Sequence, residues 1–171
     1  MSNNSTARDK NLVMKISLRE FYEAEAVQKR FWGSHREIIL AENILAELTR
    51  NKSEKILEVG IGDGFLLFQM RQLGYEVIGI DIAMKRCRNA RKNVPDTELI
   101  VADARFLPFT GETFDAIICS ETLEHIPRHQ KAISEAHRVL KIAGEYIVTV
   151  PFRQTPVKVL CPYCLRSFYL D

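Results

Sequence analysis

The sequence has no long hydrophobic run, few cysteines and little excess charge, and each of these absences excludes a class of protein. No apolar stretch approaches the roughly 18 residues that a transmembrane helix needs, and no secretory signal pattern opens the chain. Four cysteines in 171 residues do not form a dense disulfide framework and suit a reducing compartment. A net charge of +2 gives no strong case for binding nucleic acid or an anionic membrane. We therefore expect a cytoplasmic protein without a membrane span.

The length and composition are those of one globular domain. A chain of 171 residues with 46% hydrophobic residues can bury a substantial core, and it contains no internal repeat or low-complexity linker. Local patterns divide it into an N-terminal helical part (residues 1–50), an α/β core (51–151) and a short tail (152–171). Helical periodicity covers residues 18–49 with a break at Gly33 and Ser34, where Ser34 can cap a second helix. That second helix is predicted to pack on the sheet through Leu40, Ile44 and Leu48, with Ile39 beside this face.

The most informative stretch is a short apolar run that ends in alternating glycines. Residues 56–59 read as a strand buried on both faces, and a helical segment begins at Phe65. Between them stand Gly60, Gly62 and Gly64. A strand, a glycine turn and a helix in this order let backbone N–H groups approach a ligand without interference from a Cβ atom. The stretch therefore predicts a nucleotide-type cofactor site.

Two residues at this turn argue against a dinucleotide. The dinucleotide fingerprint requires a third glycine at position 65, where this chain has the bulky Phe65. Glu58 stands just before the first glycine, and its carboxylate would repel a pyrophosphate but attract a cation. The turn therefore favours a positively charged cofactor over NAD.

The spacing Glu58-x-Gly60-x-Gly62-x-Gly64 resembles the nucleotide-binding loop of the Rossmann-like methyltransferases, whose cofactor S-adenosylmethionine carries a positive sulfonium and a positive ammonium group. Four further strand motifs follow in the family's order, and the match covers about residues 50–151. The chain is most similar to the type 11 methyltransferase family. The resemblance implies a doubly wound α/β fold with a mostly parallel sheet in the order 3-2-1-4-5 and an N-terminal helical cap.

The resemblance also implies roles for individual residues. Asp81, at the end of the second strand, would accept both ribose hydroxyls, and Asp103, after the third strand, would accept the adenine amino group. Glu58 would orient the amino-acid end of the cofactor. The neighbours expected to complete the cofactor site are Ile82, Ala104 and Ser120. N-terminal helices cover the cofactor in this family, so three aromatic residues are candidates for a lid: Tyr22, Phe31 and Trp32.

Glu121, Glu124 and His125 follow the fourth strand, at the sheet edge where ligands bind. Two carboxylates and an imidazole are suitable ligands for Mg²⁺, Mn²⁺ or Zn²⁺. The spacing is similar to the metal-binding motif of ubiquinone-biosynthetic O-methyltransferases and of small-RNA 2′-O-methyltransferases. Without a metal, His125 is the candidate general base for the acceptor, with Glu121 facing the methyl-transfer side. A purely structural role for these residues is the third alternative.

The tail contains Cys161-Pro-Tyr-Cys164, which has the form of a zinc knuckle but supplies only two of the four ligands that a structural zinc needs. An uncoordinated turn and a redox pair are the alternatives. Because about twenty residues follow Val150, the C-terminal hairpin of the family is expected to be absent. The fifth strand would then be an open edge that a second copy of the chain can cover.

These observations predict an S-adenosylmethionine-dependent methyltransferase acting on a small-molecule acceptor. A truncated cofactor-binding module without turnover, an RNA 2′-O-methyltransferase and, last, an NAD-dependent oxidoreductase are the alternatives. A basic helix after Asp81 bears on the RNA alternative, but without interleaved aromatic residues it is interpreted as a solvated outer face. Its cations are Lys85, Arg86, Arg88, Arg91 and Lys92.

Overall fold

The computed structural model describes residues 35–151 and, for the backbone alone, two short strands at residues 157–160 and 167–170. Helices and strands alternate along the first of these regions, and a short 3-10 turn covers Leu123–His125. The elements are, in order, α1 (His35–Asn51), β1 (Lys55–Val59), α2 (Phe65–Gln72), β2 (Glu76–Asp81), α3 (Met84–Asn93), β3 (Glu98–Val101), β4 (Phe114–Ser120), α4 (His129–Val139), β5 (Leu140–Thr149), β6 (Val157–Leu160) and β7 (Ser167–Leu170).

Strands β1 to β5 form one parallel sheet in the order β3-β2-β1-β4-β5, which confirms the predicted fold class. The central strands β1 and β4 are apolar and almost entirely buried, as strands covered by helices on both faces must be. The order of the strands reverses between β1 and β4. Ligands of such sheets bind beyond the carboxyl ends of the strands at this reversal.

Alternate residues of the central strands enter two separate cores. On one face, Ile56 of β1 packs with Leu48 of α1 and Met70 of α2. On the other face, Leu57 packs with Phe114 and with Val139 of α4. This alternation follows from the two-residue period of a strand and fixes which side chains of β1 point towards each layer.

Helix α1 packs on the first core through Ala41, Ile44 and Leu48, which are at most 4% exposed. The prediction was correct for Ile44 and Leu48, whereas Leu40 is half-buried and Ile39, beside the predicted face, is 44% exposed. With 3.6 residues per turn, Ile39 lies about 140° around the helix from Ile44, outside the buried stripe.

The C-terminal part of the fold differs from expectation in two ways. Strand β5 begins at Leu140. Its register with β4 then shifts from the pair Phe114–Leu140 to the pair Ala116–Glu145, which marks a bulge opposite Asp115. Two C-terminal strands are present where none was expected, since β6 and β7 pair antiparallel, but they form a sheet of their own and do not extend the five-stranded sheet. Strands of only four residues fit between the prolines and cysteines that argued against them.

Within the residues described, no helix has both the length and the apolar character needed to cross a membrane.

Candidate functional site

The turn after β1 has a backbone that only glycine adopts readily. Gly60, Gly62 and Gly64 have φ values of +80°, +54° and +83°. A Cβ atom on Gly60 would lie 2.3 Å from the Oγ1 atom of Thr122, which belongs to the loop after β4. Glycine at position 60 is therefore required by its backbone conformation and by the close approach of the neighbouring loop.

This turn borders a cavity of about 390 Å³ at the carboxyl ends of the strands, beneath the first turns of α1. The cavity wall brings together most of the residues predicted from the sequence: Glu58, Gly60, Gly62, Asp81, Ile82, Asp103, Ala104, Ser120, Glu121 and His125. Gly64 is not part of the wall. A Cβ atom there would lie 3.1 Å from the Cβ atom of Ala90, so Gly64 permits the close packing of its turn on α3.

Glu58 is a buried carboxylate at the base of this cavity. The residue is 4% exposed, and its Oε2 atom has no hydrogen-bond partner within the described part of the chain. Burial, and secondarily the nearby charge of Asp81, raises the pKa of Glu58 well above its ordinary value. A buried oxygen without a partner destabilises the fold, and a ligand that donates hydrogen bonds or carries positive charge would satisfy it.

Asp81 is held rigidly at the end of β2. It is 7% exposed, and its Oδ1 atom accepts the backbone N–H of Ala83 at 2.9 Å.

The cavity wall contains six acidic residues and two arginines: Glu37, Glu58, Asp63, Asp81, Asp103 and Glu121, with Arg36 and Arg86. This excess of negative charge in a concave site attracts cationic ligands.

Asp103 forms a close ion pair with Arg105 immediately after β3. The Arg105 Nε atom lies 3.0 and 3.1 Å from the two carboxylate oxygens of Asp103, and Nη2 lies 2.6 Å from Oδ2. The side-chain hydrogen bond from Arg105 is the main cause that lowers the pKa of Asp103. Asp103 is therefore ionised at neutral pH.

The interpretation of the basic helix as a wholly solvated face is wrong for one residue. Arg86 is 9% exposed and lines the cavity, whereas Arg88 is exposed. Arg86 is buried because its position along α3 places it on the same side of the helix as the buried residues Cys87 and Ala90. Its Nη1 atom lies 3.8 Å from the position that a Cβ atom on Gly62 would occupy. The structure thus places a buried guanidinium beside the glycine turn.

The other side of the cavity is formed by the loop after β4. Glu121 has a left-handed backbone (φ +50°), and its N–H donates to the carbonyl of Thr149 at 2.9 Å. The hydroxyl groups of Ser120 and Thr149 are 2.8 Å apart. The Glu121 carboxylate forms an ion pair with Arg36 of α1. A strained backbone held by hydrogen bonds to the next strand fixes Glu121 in the cavity wall.

His125 also lines the cavity, at the end of the 3-10 turn. Its Nε2 atom lies 3.7 Å from the Oε1 atom of Glu124. Glu124 itself does not reach the cavity wall. This arrangement gives this side of the cavity one imidazole and one carboxylate, His125 and Glu121.

The predicted divalent-cation site at Glu121, Glu124 and His125 is not assembled. In residues 35–151, no group of three or more histidine, cysteine or acidic side chains is close enough to hold a metal ion. Glu121 is turned towards Arg36 instead. Several predicted residues lie outside the described residues: Tyr22, Phe31, Trp32, Cys161 and Cys164.

Sequence reasoning missed three arginines at or beside the cavity: Arg36, Arg86 and Arg105. Only Arg105 could have been identified from the local sequence, because it lies two residues after a carboxylate that follows a strand. Arg36 meets Glu121 only through the tertiary fold. Arg86 required the phase of a helix whose composition is almost entirely polar.

A parallel sheet in the order 3-2-1-4-5, a left-handed glycine turn after β1 and carboxylates after β2 and β3 define the class I, Rossmann-like methyltransferases. The family model described as a methyltransferase domain, type 11, matches residues 57–148. The chain belongs to this methyltransferase family.

Curated relatives and solved structures agree with this assignment. The chain is 29% identical over 143 residues to the ubiquinone biosynthesis O-methyltransferase of Pseudomonas aeruginosa, covering 76% of this chain and 61% of that protein. It is 33% identical over 97 residues to the demethylmenaquinone methyltransferase of Thermotoga maritima, covering 56% and 42%. The crystal structure of the PH0226 protein from Pyrococcus horikoshii superposes with a TM-score of 0.60 at 32% identity, covering 67% and 57%. The chain thus spans about half the length of the proteins it matches.

Proposed function

We propose that this chain binds S-adenosylmethionine and transfers its methyl group to a small-molecule acceptor. The observation that carries the proposal is the buried Glu58 carboxylate at the base of a cavity whose wall is mainly acidic. Such a site is unsuited to a pyrophosphate and suited to a ligand with two positive groups. Membership of the methyltransferase family supports the same cofactor.

The chain's own residues have separate tasks in this proposal. Gly60 and Gly62 let the cofactor lie against the backbone, and Glu58 receives its amino-acid end. Asp81 accepts the ribose hydroxyls, and Asp103 accepts the adenine amino group. Ile82 and Ala104 provide apolar walls beside these carboxylates, and both line the cavity.

When bound, the cofactor supplies an electrophilic methyl group on a sulfonium, so the protein must mainly orient the acceptor and exclude water. Ser120 and Glu121 form the wall on the acceptor side, and α1 covers it. His125 is the proposed general base, which takes the proton from the attacking oxygen, nitrogen or carbon of the acceptor. Its place in the cavity wall gives it access to a bound acceptor.

The relatives named above support a small-molecule acceptor, because their names assign them to ubiquinone biosynthesis and to demethylmenaquinone. With the cofactor lying against the glycine turn and the carboxylates at the ends of β2 and β3, the acceptor would occupy the part of the cavity lined by Arg36 and Glu121.

Two further predictions remain proposals. Zinc binding by Cys161 and Cys164 rests on their spacing alone, and metal analysis of the purified chain tests it.

The proposal that a second copy of the chain pairs along β5 rests on the position of β5 at the edge of the five-stranded sheet. Light scattering, which measures the mass of the particle in solution, tests this proposal.

The first experiment is calorimetric titration with S-adenosylhomocysteine, with NAD in a parallel titration. We expect saturable binding of S-adenosylhomocysteine, at least about tenfold weaker binding in Asp81→Ala, and no binding of NAD. Asp96→Ala is the matched control, because Asp96 is exposed and is not part of the cavity wall. Binding of NAD in place of S-adenosylhomocysteine would contradict the proposal. Transfer of a labelled methyl group to candidate quinone precursors then tests turnover.

A further inference from the structure

Arg105 holds the Asp103 carboxylate from outside the cavity. The Arg105 side chain is 17% exposed and makes its contacts with both oxygens of Asp103, while Asp103 and not Arg105 belongs to the cavity wall. The backbone N–H of Arg105 also donates to Oδ1 of Asp103 at 2.9 Å. Four contacts from one residue fix both torsions of a short side chain. The four contacts come from three N–H groups, because Nε is shared between both oxygens, so about one of the roughly four lone-pair sites of the carboxylate remains for a ligand in the cavity.

The loop that carries this pair is itself attached to α4. The backbone N–H of Leu107 donates to Oε2 of Glu135 at 2.8 Å, and Arg138 Nη2 donates to the Leu107 carbonyl at 3.0 Å. The Lys131 ammonium lies 3.3 Å from the centre of the Phe106 ring. Arg105 therefore has a fixed base from which to orient Asp103.

The geometry gives Asp103 a defined chemical preference. A fixed, ionised carboxylate accepts hydrogen bonds and cannot donate them. An adenine presents a donating amino group at C6, whereas a hypoxanthine presents a carbonyl oxygen that a carboxylate repels. If the side chain were free to rotate, or were protonated, this difference would be smaller.

We propose that Arg105 is a positioning residue that makes the site selective for the 6-amino group of the cofactor's purine. This inference rests on the proposed function, and it assigns to Arg105 a task that the sequence alone did not reveal. Arg105 acts through Asp103 and does not contact the purine.

The test compares binding of S-adenosylhomocysteine with that of S-inosylhomocysteine, which differs in carrying the carbonyl oxygen at C6. We expect the wild-type chain to prefer the adenosyl compound by about 10- to 100-fold, the range of a hydrogen bond to a charged group. In Arg105→Ala the preference should fall to less than about threefold. Arg105→Lys should give an intermediate value, because lysine keeps the charge but not the planar fork.

Two control variants separate positioning from general effects. Lys92→Ala removes a positive charge from an exposed position of α3 that is not part of the cavity wall, and it should leave the preference unchanged. Asp81→Ala should weaken both ligands and preserve their ratio. Asp103→Asn should lower the preference, and its effect should not add to that of Arg105→Ala, because both act on one contact.

An unchanged preference in Arg105→Ala would overturn the inference, and so would an equal weakening of both ligands, which indicates a structural role alone. Thermal unfolding of each variant confirms that the comparison is made on folded protein, and Arg105→Lys serves if Arg105→Ala does not fold. Failure of the wild-type chain to bind either ligand would overturn the proposed function itself, which is a distinguishable result.

Discussion

The guanidinium of Arg36, in the first turn of α1, forms an ion pair with the carboxylate of Glu121, directly after β4. The two residues are 85 positions apart in the sequence and both line the cavity. Glu121 is fixed by its hydrogen bonds to β5, so the pair attaches α1 to the sheet at this side of the cavity. The contact therefore controls how firmly α1 covers the site.

We expect Arg36→Ala to increase the rate at which S-adenosylhomocysteine dissociates by about two- to fivefold, because a half-exposed ion pair contributes up to about 1 kcal/mol. Stopped-flow displacement measures this rate. The matched control is Arg50→Ala, since Arg50 lies on the same helix and pairs with Glu47 within it. The difference should shrink at high salt, which screens exposed charges. Equal rates in wild type and Arg36→Ala would contradict the role of the pair.

Replacing Glu58 should stabilise the protein without ligand and weaken the cofactor site. The pKa of Glu58 is raised in the folded state, so the folded state binds this proton more tightly than the unfolded chain does, and stability falls as pH rises above about 4.5. Glu58→Gln removes that loss and should gain about 1–3 kcal/mol at pH 8, with little gain at pH 4.5. Thermal unfolding across this range provides the measurement. A gain that does not change with pH would show that the carboxylate charge is not its cause.

The same carboxylate should make cofactor binding depend on pH. A cationic ligand binds the ionised form of Glu58, and burial keeps this group protonated to a higher pH than usual. The affinity for S-adenosylhomocysteine should therefore rise with pH between about 5 and 8 and be accompanied by proton release. Calorimetry in buffers of different ionisation enthalpy detects that proton. In Glu58→Gln the affinity should be weaker and nearly independent of pH.

Gly60→Ala should abolish cofactor binding, whereas Gly74→Ala should not. Both glycines have left-handed backbones, with φ of +80° and +88°, so both substitutions strain the chain by about 1–2 kcal/mol. Only at Gly60 would the new methyl group collide with Thr122, since the space around Gly74 is open. Thermal unfolding and calorimetry on the two variants separate strain from collision. Retained binding in Gly60→Ala would show that the turn can move away from the loop.

The sequence predicted those parts of the site that depend on local order along the chain. The glycine turn, Glu58 and Asp81 were recognised because a buried strand, a sharp turn and a terminal carboxylate follow one another directly. The resemblance to the Rossmann-like methyltransferases implied the five-stranded sheet and its order, and both are confirmed.

The errors arose where spatial neighbours are distant in the sequence or where phase decides burial. The metal-site alternative grouped Glu121 with Glu124 because the two are close in sequence, but the Glu121 carboxylate pairs with Arg36 of α1. Arg86 was grouped with four other cations by composition, although its position on α3 turns it into the cavity. The C-terminal strands were missed because each is only four residues long.

The close approach of Gly60 to Thr122 leaves no room for the glycine turn after β1 and the loop after β4 to change independently. A substitution that shifts one of these two segments must displace the other, so we expect both to be retained whichever acceptor the protein uses. Helix α1 is constrained differently, because Ala41, Ile44 and Leu48 lie in the core while Arg36 in its first turn reaches Glu121 through a half-exposed ion pair. Divergence towards new acceptors should therefore accumulate in the first turn of α1, and exchanging that turn between relatives should transfer acceptor preference.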